Sequence, residues 1–329
     1  MAGSALLLCI GNLLIVNASQ VQNLNMAICN ITCGIAVAAA VFFIGHERLL
    51  KTAPYLTGLL LFLLLLCPLF SSPVNGANRW LAFGSFRFAP AMLAMPILCL
   101  FWAYIKDKTA DKISPKKWLT LAAITLLTFV LIMVEPFITM AFFVIILSME
   151  MLYLTGVNWK ALTITIISSV VGFFAALVVI CRNNPWIRHT DFFKNYLEYD
   201  MVSAYHTWIS LKTLKHSVFF GKCQYPAEMS QSYHIPNAIT DSALVAGCGE
   251  FGYLFMIVAL LLTVAIIVSG VIITKRCENP ADRLLAGSMT AIIALPARTH
   301  TLMMFGLLLM GGFPAAEVQC LPTLLHLDA

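Results

Sequence analysis

The chain has 329 residues, 60% of them hydrophobic and only 11% charged, with a mean hydropathy of +0.90. Soluble globular domains carry about 25% charged residues, so this composition excludes one and specifies a polytopic membrane protein. The formal net charge of +5 is not a nucleic-acid signature, because the basic residues fall in loops between apolar runs, where membrane topology accounts for them.

A bilayer core is crossed by about twenty helical residues. On that measure the apolar runs predict ten spans, at 4–17, 27–44, 54–70, 89–105, 118–134, 138–155, 161–181, 241–273, 284–297 and 301–319. The expected fold is all-α: a polytopic membrane protein with about ten transmembrane helices, one domain over 1–329, and a long extracytoplasmic loop at 182–240. No basic stretch precedes the first run, so a cleaved signal peptide is not expected. With a cytoplasmic N-terminus, the inside loops hold Arg48, Lys51, Lys106, Lys108, Lys112, Lys116, Lys117, Lys160, Lys275, Arg276 and Arg283. The short outside loops hold Arg79, Arg87 and Arg298. Eleven against three places both termini inside and 182–240 outside, because short cytoplasmic loops retain Lys and Arg.

The first outside loop, Asn75 to Pro90, reads NGANRWLAFGSFRFAP. An Asn-Gly turn followed by Arg79-Trp80 suits a re-entrant loop at headgroup level, and also suits a plain interfacial anchor. Glu135-Pro136 ends the fifth span, where the acid either faces an outer cavity or is solvated. The segment 182–240 is rich in Tyr, Phe, His and Lys. Its histidines, His189, His206, His216 and His234, have no compact ligand spacing. Ten cysteines include no C-x-x-C pair and no zinc pattern. Cys29 and Cys33 sit in an apolar span, and a Cys181–Cys223 pairing in the outer segment is left open. The eighth span opens HIPNAITDSALVAGCGEFG from His234. It reads as one helix of about thirty residues, too long for full immersion, so Asp241 stands at a membrane face and at the positive end of a helix. Thr240 or Asp241 is equally a helix N-cap, worth about 1 kcal/mol.

These motifs, in this order, resemble the SEDS family (FtsW, RodA, SpoVE). Arg79-Trp80 lies in a G-A-x-R-W-x-x-x-G-x-F-x-F-x-P loop after the third span. Arg188, Tyr205-His206, Ser210-Leu211 and Phe220-Gly221-Lys222 match the family's R, Y-Q, S-L and F-G-K. Pro236, Thr240-Asp241, Glu250 and Gly252 match its P-E-x-H-T-D-F-I-F…E-E-L-G, and Gly306-Leu307-Leu308, Gly312 and Pro314 its tail. Where the family has Gln-Pro-Asp-x-Gly-Thr, this chain keeps Pro136 and has Phe137 in place of the acid. Met92 and Met95 stand where the family has a glutamate and a lysine, and the family's S-x-G-G-S is absent.

The resemblance implies a peptidoglycan glycosyltransferase of the bacterial cytoplasmic membrane, its active face outside, polymerising lipid II beside a class B penicillin-binding protein in division, elongation or sporulation. Such chemistry needs a base for the acceptor sugar's 4-hydroxyl and cations for the departing lipid pyrophosphate. Asp241 is the expected base, with ligation of a divalent cation (Mg or Mn) its other role; no organic cofactor is expected. Arg79 and Lys222 are the expected phosphate contacts, Trp80 a wall against sugar or lipid, and Tyr205 and His206 further substrate contacts. Glu250 lies nine residues past Asp241, about 180° around and ~13 Å along an unbroken helix. It is therefore expected to be a buried structural acid, paired with Arg298 or His300. Two other functions fit the family: a scaffold without catalysis that activates a penicillin-binding protein, which the two methionines favour, and a lipid II transporter, which the scarcity of charges within spans disfavours.

Overall fold

A computed structural model describes Thr32, Ala39 and residues 43–70, 79–83, 86–109, 113–135, 137–156, 205–224 and 243–305. The expected spans at 4–17 and 161–181, nearly all of 27–44, and the tail beyond 305 lie outside these residues. The chain forms two compact units, each drawn from separated segments: 1–46, 191–272 and 293–315 make one, and 47–190, 273–292 and 316–329 the other.

In the second of these units, α1 (His46–Phe70) buries Leu50, Ala53, Thr57, Leu60, Leu64 and Cys67. Their three- and four-residue spacing is one stripe of a helix. Tyr55, Leu59, Phe62, Leu65 and Leu69 on its other sides are exposed, as lipid-facing residues are. A hairpin of β1 (Leu81–Phe83) and β2 (Phe86–Phe88) follows, with Leu81 opposite Phe88 and Phe83 opposite Phe86. It is the one departure from the all-α expectation among the described residues. A short 3-10 turn at Pro90–Leu93 leads into α2 (Ala94–Asp107), the most enclosed of the apolar helices. Trp102 on α2 donates its Nε1–H to Thr125 Oγ1 at 3.2 Å and meets Trp118 edge-on. Both partners lie on α3 (Pro115–Val134), which α4 (Ile138–Leu154) follows.

The other unit contains α5 (Tyr205–His216), α6 (Ala243–Phe251) and most of α7 (Tyr253–Arg276). Leu214, Val245, Cys248, Met256 and Met304 form its core. The single helix expected over 241–273 is thus two helices broken at Gly252, whose φ is +87°. The chain ends its described part in α8 (Pro280–Met304). Here the sequence reading is corrected a second time. The spans expected at 284–297 and 301–319, with Arg298 in a loop between them, begin as one continuous helix through Pro296 and Arg298. Thr299 Oγ1 donates to Leu295 O at 2.8 Å and Thr301 Oγ1 to Ala297 O at 2.8 Å, second donors to carbonyls on either side of the proline.

Among the described residues, four helical stretches are long and apolar enough to cross a membrane: Glu47–Phe70, Pro90–Asp107, Lys116–Val134 and Tyr253–Arg276. Ile138–Leu154 is a shorter apolar helix.

Candidate functional site

Two clusters of the expected residues are described, one in each unit. The first gathers where β1 begins and α3 ends. Arg79 and Trp80 are both half-buried. The Arg79 guanidinium lies 5.0 Å from the centroid of the Phe137 ring, an attractive contact between a cation and the negative face of an aromatic. Its Nε is buried and has no hydrogen-bond partner among the described residues. Phe137 leads into α4 with its N–H on Ile132 O at 3.2 Å, which holds the ring beneath the arginine.

Glu135, two residues earlier, is fully buried, and neither carboxyl oxygen meets a hydrogen-bond partner among the described residues. The thiol of Cys67 on α1 is the polar group beside it, a weak donor. Burial pushes the Glu135 carboxyl up to about 8, the thiol acting slightly in the other direction. Of the two sequence readings for this acid, a solvated span end does not hold. Met92, in the 3-10 turn, is half-buried, and Met95, in the first turn of α2, is buried. Apolar side chains therefore occupy the two positions at which the family has a glutamate and a lysine.

The second cluster surrounds the break at Gly252. Interrupting a helix frees backbone groups that must find other partners, and the loop after α5 supplies them. Tyr253 N–H donates to Val218 O at 3.0 Å and Leu254 N–H to Phe219 O at 3.2 Å. In return Gly221 N–H donates to Phe251 O at 3.3 Å and Cys223 N–H to Gly249 O at 2.6 Å. The Tyr253 hydroxyl also donates to Leu214 O. A Cβ at position 252 would stand 2.6 Å from both the Val218 and Phe219 carbonyl oxygens, so only glycine fits.

This geometry corrects the reading of Glu250. It is neither buried nor paired with Arg298 or His300. Its carboxylate lies 3.2 Å from Lys222 Nζ, with the two side chains 42% and 81% exposed. Standing in the last turn of α6, a carboxylate opposes the helix dipole, and the Lys222 ammonium offsets that. Tyr205 and His206 are the first two residues of α5. Asp241 and Thr240 lie outside the described residues. No three His, Cys, Asp or Glu side chains among the described residues converge to hold a metal ion; Asp241, the expected ligand, is not one of them.

In the sequence Gly252 stands out only as part of a motif, and nothing there marks Tyr253 by itself. The signal for both was the F-G-K turn, whose backbone completes the break.

Residues 3–316 match the family described as cell cycle protein, FtsW/RodA/SpoVE. The chain belongs to that family. Among curated relatives, the peptidoglycan glycosyltransferase MrdB of Escherichia coli K12 is 23% identical over 268 residues, 81% of this chain and 72% of MrdB. A probable peptidoglycan glycosyltransferase FtsW of Aromatoleum aromaticum is 25% identical over 267 residues, 80% of this chain and 64% of that one. Among solved structures, a chain from a peptidoglycan synthase complex superposes with a TM-score of 0.76 at 18% identity, covering 94% of this chain and 88% of its own. The rod shape determining protein RodA of Thermus thermophilus gives 0.65 at 18% identity, covering 94% and 83%. The fold is RodA-like.

Proposed function

We propose that this chain is a peptidoglycan glycosyltransferase that extends glycan strands from lipid II in the bacterial cytoplasmic membrane, with both termini inside and its site on the outer face. Family membership over 3–316 and the glycosyltransferase relatives support the reaction class. The observation that carries the reading into this chain's own residues is Arg79, a half-buried guanidinium packed on the Phe137 ring. Such a group suits the pyrophosphate of a lipid-linked sugar.

In this reading the Asp241 carboxylate takes the proton from the 4-hydroxyl of the acceptor sugar. The freed oxygen bonds to the anomeric carbon of the donor, and the bond from that carbon to the lipid pyrophosphate breaks. The pyrophosphate leaves with the bonding electron pair, its charge met by Arg79, while Trp80, Tyr205 and His206 contact the sugar and lipid. Lys222, 3.2 Å from the Glu250 carboxylate and 81% exposed, is the second candidate phosphate contact beside Arg79. The membrane-embedded partner of such an enzyme is a class B penicillin-binding protein.

Purified protein given lipid II should form glycan strands, and Asp241→Ala should lower the rate by about 10²–10⁴-fold, the usual contribution of a general base. Strand formation undiminished in Asp241→Ala would end the assignment. A second reading, a scaffold that activates a penicillin-binding protein without catalysis, is favoured by Met92 and Met95. It requires that the wild type form no polymer while the partner complex survives Asp241→Ala.

A further inference from the structure

The turn from Ser217 to Gln224 does more than close the break at Gly252. Its backbone is bonded to the first residues of α7 through Tyr253 and Leu254, so its height in the membrane is that of the start of this span. At about 1.5 Å per residue, the 24 residues of α7 extend ~36 Å, more than the ~30 Å hydrocarbon core. Lys275 and Arg276 occupy the last turn and mark the water side at that end. Tyr253 and the turn therefore sit at the opposite boundary.

There the turn presents Phe219 and Phe220, 58% and 67% exposed, their rings edge-to-face at 5.2 Å. Phe251 and Phe255, stacked at 5.6 Å, flank the break on the helices. Only about a tenth of the most apolar part of α7 is buried, so most of the span beyond the turn is open to lipid. Cations are present there as well: α5 and the turn carry Lys212, Lys215 and Lys222, with Glu250 on α6. The Lys222 ammonium keeps donor capacity beyond its contact with Glu250, because it is 81% exposed and has three N–H donors. Aromatic side chains at the membrane boundary with a cation just above them are the usual chemistry of a leaflet anchor.

We propose that the Phe219–Phe220 turn is a membrane anchor that seats between headgroups and acyl chains of the leaflet at the N-terminal end of α7, with Lys222 facing the phosphate of an anionic lipid. It holds the backbone that completes the α6–α7 break at a fixed depth. The inference does not depend on the glycosyltransferase reading.

The test uses the full chain in vesicles of phosphatidylethanolamine and phosphatidylglycerol, with 4-fluorophenylalanine at position 220 and, as a buried reference, at Phe129. A nitroxide lipid labelled near the headgroup end of its acyl chain should broaden the fluorine signal at position 220, while an aqueous paramagnetic chelate should not. Neither should affect position 129. Broadening by the chelate would show a water-facing turn, and silence toward both would show a turn covered by protein; either overturns the proposal. Spin-labelled phosphatidylglycerol should broaden the signal about twofold more than spin-labelled phosphatidylcholine, a preference that Lys222→Gln should abolish. Equal broadening in the unsubstituted protein would remove the anionic-lipid part.

Discussion

Glu135 closes α3 with a carboxyl that the fold encloses and that, among the described residues, meets no donor stronger than the Cys67 thiol. Such a group is cheaper to bury neutral than charged, which is the direction in which its acidity moves, up to about 8 from 4.5. The linkage follows from proton counting. Between about 4.5 and 8 the unfolded chain has released this proton and the folded chain retains it, so the folded state loses stability as pH rises through that window, by up to about 1.4 kcal/mol per pH unit. Glu135→Gln keeps the shape and removes the titration. It is expected to flatten the fall in thermal midpoint of the detergent-solubilised protein between pH 5 and 8 and to raise the midpoint at the alkaline end; an unchanged slope would show that this carboxyl is not the cause. The sequence placed Glu135 at a span end, and either reading offered there assumed a cavity or water beside it. The side chain set beside it is Cys67 on α1, about seventy residues earlier, a contact that no local pattern records.

Helices α6 and α7 show where a sequence pattern stops being informative. The run from Ala243 to Ile273 is apolar on all sides apart from Glu250, so no polar stripe marks an interruption. Gly270 lies within α7 and leaves it continuous, whereas Gly252 ends α6. The difference is not in the glycine but in the turn 217–224, which brings carbonyls and N–H groups to the freed backbone. Similarly, Pro296 and Arg298 suggested a loop, yet α8 runs through both from Pro280 to Met304. A methyl at position 252 would meet two carbonyl oxygens at 2.6 Å on a backbone with φ +87°, and both the clash and the strain of left-handed backbone cost energy. Gly252→Ala is therefore expected to destabilise the folded protein by more than about 2 kcal/mol. The accompanying signature is faster hydrogen exchange at Tyr253 and Leu254, the amides that the turn holds. A fall in stability with those two amides still protected would locate the damage elsewhere.

For the molecule as a whole, the order of the motifs and the hydropathy were enough to reach the family and the RodA-like fold, while the pairing of Glu250 with Lys222 needed coordinates. Orientation can be argued from both together. Cys223 is bonded through its backbone to Gly249, just before the start of α7, and Cys277 follows the last residue of that span. A helix of this length and apolarity separates them by a full bilayer, so the two thiols must meet opposite compartments whichever way the chain inserts. The distribution of Lys and Arg then chooses between the two insertions: Lys275, Arg276 and Arg283 flank Cys277, and short loops of that composition are retained in the cytoplasm. In a background with the other cysteines replaced, a membrane-impermeant maleimide added to intact spheroplasts is expected to modify Cys223 and leave Cys277 untouched, with the reverse in inverted vesicles. Modification of both thiols from one side would mean that α7 does not cross. Modification of Cys277 alone in intact spheroplasts would mean that α7 crosses in the opposite sense.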